Sequence, residues 1–357
     1  MSPNPHLSHN EYAAGVIAIV AAASLALARD VPGPVADCLT CHDDPSLTLQ
    51  LEDGEELNLH VTAATFLESV HGEGGLVCSD CHAGYGDDHP FGKSFASKRA
   101  YVLGAYETCK ECHFDTYTRT LESVHYELAR QGLDIAPVCT DCHGAHDVHD
   151  PHAKSPMIDR SCGVCHAGVY EDYAASAHGR ALVEEGLEDV PGCADCHESH
   201  SIEYPSTARF RVSSPEKCIE CHGDEQLMEP YGLSTYVATS YLADFHGVTA
   251  SLSSDEDGDP RQVVVTCVDC HGHHGIASPR EVGEEPMKAI VAATCSKCHA
   301  DAPVDFPAAW LSHYEPSLSH APLVYLVNLF YWIFIPFVVA GLALQVLLHL
   351  LRVASGR

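Results

Sequence analysis

All 18 cysteines of this 357-residue chain fall in one five-residue pattern, C-x-x-C-H, which occurs nine times with no cysteine left over. The copies are Cys38/Cys41/His42, Cys78/Cys81/His82, Cys109/Cys112/His113, Cys139/Cys142/His143, Cys162/Cys165/His166, Cys193/Cys196/His197, Cys218/Cys221/His222, Cys267/Cys270/His271 and Cys295/Cys298/His299. On a helical turn, positions i, i+3 and i+4 share a face. Both thiols can then reach the two vinyl groups of one porphyrin while the following imidazole meets the iron. The spacing is the attachment signature of c-type haem. Zinc sites and disulfides also use C-x-x-C. Zinc knuckles would have to pair, and nine is odd; disulfides need no histidine after each second cysteine. The reading is nine covalent haems, with the nine motif histidines as proximal ligands.

The motifs sit in a longer repeat, which says more than any single copy. Cys109…Ser123-Val124-His125…Cys139-Thr-Asp-Cys142-His143-Gly-Ala-His146 is followed by Cys162…Ser176-Ala177-His178…Cys193-Ala-Asp-Cys196-His197-Glu-Ser-His200. In both, a lone histidine lies 16 residues after the first cysteine, and the unit ends in C-x-D-C-H-x-x-H. The same plan runs from Cys38 through His71 to Cys81/His82, with the first gap lengthened to 33 residues. The insert, Leu47 to Val61, alternates apolar and polar residues about Asp53-Gly54 and predicts a β-hairpin. A fourth unit runs from Cys218 through His246 to His271, Gly272, His273 and His274, and includes the acidic loop 253–260, read as a solvated turn. The motif beginning at Cys295 stands alone.

The expected divisions are a leader at 1–28, two-haem units at 29–105, 106–157, 158–212 and 213–290, a ninth haem and neck at 291–320, a membrane helix at 321–350 and a tail at 351–357. Segments 105–131 and 166–186 read as helical and most of the remainder as loop. At about 40 residues per motif there is too little chain for conventional cores, so porphyrin must fill the interior.

The repeat also supplies second axial ligands. His71, His125, His178, His246 and His313 hold the lone position, His313 in competition with His320. His146, His200 and His274 lie three residues past a motif histidine, His274 in competition with His273, and His89 takes that role in the first unit. These nine match the nine haems. A histidine three places past the motif points away from its own haem, so it is expected to serve another. His60 reads as solvated on the hairpin. His149 and His152 lie in a polar loop without repeat support, and His6 and His9 precede the leader's apolar run.

Residues 12–28 form an apolar run ending Ala26-Leu27-Ala28, an export signal pattern without the usual basic flank, with an uncleaved N-terminal anchor helix as the alternative. Residues 321–350 carry no formal charge, ample for a membrane span. Arg352 and Arg357 follow, which places the C-terminus in the cytoplasm and the haem domain on the periplasmic side of the inner membrane. Pro336 lies within the span, and Asn328, Gln345 and His349 read as helix-contact or interfacial groups rather than ligands for a b-type haem. With 19 basic against 50 acidic residues, the net charge of −31 excludes nucleic acid as a partner and favours ferric iron, hence low potentials.

The alternation of C-x-x-C-H with S-x-H and C-x-D-C-H-x-x-H resembles the doubled-CxxCH multihaem c-type cytochromes. Nine such motifs ahead of a membrane helix also resemble the nine-haem cytochrome c portion of inner-membrane quinone/cytochrome b oxidoreductases. The resemblance implies a mostly α and irregular multihaem fold and electron passage between a quinone-reactive cytochrome b subunit and soluble periplasmic or extracellular carriers. No catalytic residue is expected if every iron carries two histidines. The alternative is a terminal reductase of a nitrogen or sulfur oxyanion with one open haem.

Overall fold

The computed structural model describes residues 31–85, 89, 94–150, 156–253, 264–278, 282–301, 303, 313, 315–319 and 321–356. The leader, His6, His9, His152, His320 and most of the acidic loop lie outside them. The chain divides into two compact units, Met1–Lys154 and Ser155–Arg357.

In the first unit, helix Gly33–His42 leads into the predicted hairpin. Strands Thr48–Gln50 and Glu56–Asn58 pair antiparallel with Leu49 opposite Leu57, and Gly54 turns between them at φ +89°. His60 lies beyond the second strand, half-buried, with Nε2 3.9 Å from Asp43 rather than free in solvent. The hairpin positions the first motif directly, because His42 Nδ1–H donates to the Leu59 carbonyl at 2.8 Å.

The structure holds more helix than the sequence reading allowed, in short pieces. The segment expected to be helical over 105–131 is a 3-10 turn, Tyr106–Glu111, followed by helices Phe114–Thr120 and Val124–Arg130. The segment 166–186 is likewise two helices, Ala167–Ala174 and Ala177–Val183. Serine makes each break. Ser69, Ser123 and Ser176 are buried, and their hydroxyls accept from the backbone N–H of Gly72, His125 and Gly179, starting a new helix one residue before each lone histidine. Asp244 does the same before helix Phe245–Leu252, accepting from Phe245 N–H. Segments expected to be loop also coil: Lys98–Ala105, Ala208–His222 and Glu284–Cys295 are helices.

Three lone histidines are followed by glycine, and the reason is steric. A Cβ on Gly72 would lie 2.1 Å from the Phe66 carbonyl oxygen, on Gly179 1.9 Å from that of Tyr173, and on Gly247 2.0 Å from that of Tyr241. The histidine-bearing helix thus starts in backbone contact with the helix before it.

Polypeptide core is scarce. Ten hydrophobic side chains are buried among the described residues. The largest grouping is Tyr173, Leu182 and Val190 in the second unit, where Tyr173 OH donates to the Pro191 carbonyl at 2.8 Å. Helix Pro322–Ala354 is exposed throughout, passes unbroken through Pro336, and is long and apolar enough to cross a membrane.

Gly179→Ala should destabilise the protein by about 2 kcal/mol or more, since the methyl group meets rigid backbone. Gly168→Ala, with open space around it, should be neutral or slightly stabilising. Denaturant titrations of the two variants, followed by circular dichroism, compare them directly.

Candidate haem-binding site

Eight motifs lie on or at the end of short helices, and the ninth begins at Cys295, the last residue of helix Glu284–Cys295. In the C-x-D-C-H copies the aspartate shapes the turn. Asp80, Asp141, Asp195 and Asp269 accept from the backbone N–H of Val77, Val138, Gly192 and Thr266, each at 2.7 Å. Two arginines reinforce this cap: Arg99 donates to Asp141 at 2.9 Å and to the Ala136 carbonyl, and Arg211 donates to Asp269 at 2.6 Å and to the Val264 carbonyl at 3.1 Å.

All eighteen sulfurs are unbridged, and among the described residues no three His, Cys, Asp or Glu side chains cluster to hold a metal ion. That geometry does not fit zinc knuckles or structural disulfides.

The two thiols of a motif differ in exposure. The first cysteine of every motif is half-buried: Cys38, Cys78, Cys109, Cys139, Cys162, Cys193, Cys218, Cys267 and Cys295. The second is exposed in seven motifs, at Cys41, Cys81, Cys112, Cys142, Cys165, Cys196 and Cys298. Only Cys221 and Cys270 are half-buried like their first partners. The physical reason is contact between motifs. Cys38 with Cys78, Cys109 with Cys139, and Cys218 with Cys267 share hydrogen bonds, so the first thiol is covered by the next motif. The second, one helical turn on, stands at the outer rim of the same face. Cys112 nevertheless lies close to Cys81, and Cys221 close to Cys196, which continues the chain of sulfurs between these contacts. Burial pushes the Cys78 thiol up to about 11, and the Cys139 contact holds the proton on Cys109.

The histidines converge in pairs. His42 faces His89 with ring centres 6.0 Å apart, His113 faces His71 at 6.0 Å, and His82 faces His146 at 5.9 Å. In the second unit, His222 faces His178 at 6.1 Å, His197 faces His274 at 6.0 Å, His299 faces His246 at 6.3 Å, and His271 faces His313 at 6.2 Å. Every pair joins one motif histidine to one predicted second ligand. Of the two competing neighbours, His274 faces a motif histidine, while His273 packs edge-on against His274 at 5.0 Å. His125 sits half-buried in helix Val124–Arg130, His143 and His166 close their motifs, and His200 Nδ1 lies 3.2 Å from Ser199 Oγ. His149 is exposed.

These residues fit haem. Two metal–nitrogen bonds of about 2 Å plus two ring half-widths come to roughly 6 Å. Burial pushes His82, His143, His146, His197, His222, His271, His274 and His313 below the ordinary imidazole value, and His178 down to about 4. They are therefore neutral at pH 7 with a lone pair to donate. Apolar side chains beside the motifs stand exposed, such as Val164 at 82% and Phe245 at 79%, as they would where a porphyrin covers them.

The glycine after a motif histidine has its own cause. Gly144 and Gly272 end their helices at φ +73° and +77°, turning the chain off the motif. Glu198 holds the same position and the same turn at φ +62° after His197, a conformation costly for a side chain.

Among known proteins, a family profile described as the doubled CXXCH motif matches residues 184–227 and 261–303. Similar proteins include cytochrome c-552 of Bacteroides thetaiotaomicron, 29% identical over 176 residues, covering 40% of this chain and 33% of that protein. Cytochrome c-552 of Parabacteroides distasonis is 27% identical over 176 residues, with 39% and 33% covered. That of Bacteroides fragilis is 28% identical over 178 residues, with 40% and 33% covered. The match spans about a third of the length of these relatives. No solved structure matches. Its motifs and these similarities support a multihaem c-type cytochrome, and the fold is mostly helical with one small hairpin and a C-terminal apolar helix.

Gly272→Ala should cost about 1–2 kcal/mol from backbone conformation alone, since a Cβ there meets nothing within 4 Å. Glu198→Gly should be neutral or stabilising by about 1 kcal/mol, because it removes strain at the cost of an exposed hydrogen bond from Ser201 and a 3.9 Å ion pair to Lys217. Paired unfolding curves of the two variants read both signs.

Proposed function

We propose that this protein is a membrane-anchored nonahaem cytochrome that conducts electrons on the periplasmic side of the inner membrane. Its donor or acceptor at the membrane is a quinone-reactive cytochrome b subunit, and at the other end a soluble periplasmic or extracellular carrier. When bound, the haems supply reversible one-electron chemistry. The observation that carries the reading is the pairing of seven motif histidines with seven further histidines at 5.9–6.3 Å. Two imidazoles per iron leave no axial position for a substrate. His125 and His200 hold the same repeat positions and are proposed as second ligands on that ground. The cysteine contacts between consecutive motifs support closely spaced cofactors. The 33-residue apolar helix supports the anchor, with Arg352 near its end favouring a cytoplasmic C-terminus.

Low-temperature EPR of the air-oxidised protein, with spins counted against a total haem assay, should give nine haems per chain, all low-spin ferric. A high-spin signal of one haem in nine would turn the reading towards the oxyanion reductase. Purification from membranes in mild detergent should bring a b-type haem absorbance along with the chain; its reproducible absence would remove the cytochrome b partner.

A further inference from the structure

Resting on that bis-histidine reading, we infer that consecutive two-haem units exchange axial ligands reciprocally, each supplying the second histidine for one haem of its neighbour. In the pair 29–105 and 106–157, His71 of the earlier segment faces His113 of the later one. His146 of the later segment faces His82 of the earlier one. The pair 158–212 and 213–290 repeats this with His178 facing His222 and His274 facing His197.

The two sets agree in detail. The lone-histidine pairs are tilted by 50° and 49°, and the C-x-D-C-H-x-x-H pairs by 28° and 29°. Each set is also locked by one backbone bond at the same register. Val70 N–H donates to the Val148 carbonyl at 2.9 Å, and Ala177 N–H donates to the Ile276 carbonyl at 2.8 Å. The donor in each case is the residue before the lone histidine, and the acceptor lies two residues past the incoming one. Gly144 and Gly272 turn the chain off its own motif, which sends His146 and His274 away from the irons of His143 and His271.

The neck joins the exchange. His246 of the fourth unit faces His299 of the ninth motif, and His313 returns to face His271. Ser240 Oγ lies 2.9 Å from His313 Nδ1, and Ser234 Oγ donates to the His313 carbonyl at 3.2 Å, so His313 is held with its other nitrogen free to coordinate. His313 stands nine residues before Pro322, where the apolar helix begins. The segment entering the membrane is thereby fastened to the haem core by an iron.

The exchange is tested by counting irons that lose a ligand, in full-length protein with every cysteine retained. His71→Gly and His113→Gly should each leave nine haems attached and turn one haem in nine high-spin, reversed towards low-spin by added imidazole for His71→Gly. Because both histidines serve one iron, the double variant should still show one high-spin haem in nine. His71→Gly/His82→Gly removes two histidines of one unit that serve the irons of two different units, and should show two in nine. Two high-spin haems in the first double variant, or one in the second, overturns the exchange. Wild-type protein with fewer than nine haems, or with a high-spin haem already present, counts against the underlying reading instead. If the first set does not accumulate, His178→Gly/His222→Gly and His178→Gly/His197→Gly pose the same count in the second unit, with one and two high-spin haems expected.

Discussion

The separation of about 6 Å between facing imidazoles is the constraint from which most of the architecture follows. To hold two rings at that distance, each must ride on backbone whose position is fixed locally, because little hydrophobic core exists to fix it globally. Short capped helices meet that requirement. A serine or aspartate starts a helix one residue before His71, His125, His178 and His246, and after three of these a glycine lets that helix press against the carbonyl of the preceding one. An aspartate cap sets each C-x-D-C-H turn from the other side. On the proposed ligation, coordination bonds then do what buried leucine and valine do in an ordinary domain, and the apolar side chains left exposed beside the motifs gain a surface to pack on.

The same arrangement governs the electrostatics. Burial holds imidazoles such as His82, His178 and His271 below the ordinary value, and the hydrogen bond from His42 Nδ1 to the Leu59 carbonyl leaves the other ring nitrogen of His42 for a metal. A polarised imidazole is a stronger donor, and the strongly acidic chain around it stabilises the higher charge of ferric iron. Both effects push potential in the same direction. The hairpin, which the sequence reading treated as an insert, therefore bears on the chemistry of the first haem. Its second strand ends at Asn58, and the next residue supplies the carbonyl.

The motifs, the hairpin and the apolar helix were legible because each depends on local spacing alone. Cys-x-x-Cys-His announces one face of a turn, Asp53-Gly54 announces a reversal, and an uncharged run announces a span. What resisted reading depends on contacts remote in sequence. The unequal exposure of two cysteines such as Cys109 and Cys112 is one case, since a thiol from the next motif covers only the first. The helices expected over 105–131 and 166–186 broke because a serine hydroxyl outcompetes helix continuation, and at Ser176 the glycine of S-x-H-G was an unused signal for it. Its partner is a carbonyl six residues upstream, as for Gly179 and Tyr173, which no periodicity exposes. That His274 rather than His273 faces a motif histidine likewise depends on a ring on a distant motif. Glu198 was unreadable for another reason: comparison with Gly144 and Gly272 flags it, but only backbone angles show that it keeps the glycine conformation.

The phase of the repeat is itself a physical question. Cutting the chain after each C-x-D-C-H-x-x-H gives units that look complete in sequence, yet the doubled-motif matches at 184–227 and 261–303 join Cys193 with Cys218 and Cys267 with Cys295, one motif out of step. Under reciprocal ligation neither phase isolates a self-sufficient piece. Ordinary repeat proteins are stabilised by intrinsic units plus nearest-neighbour interfaces, so an end unit can fray alone. Here a fraying unit would take with it a ligand from its neighbour's iron, and the neighbour's histidine would lose its own. Coupling of that kind makes loss of one unit costly to the next, and on the proposed ligation it runs through His313 towards the C-terminal apolar helix. A chain with so small a polypeptide core gains cooperativity from ligand exchange rather than from packing.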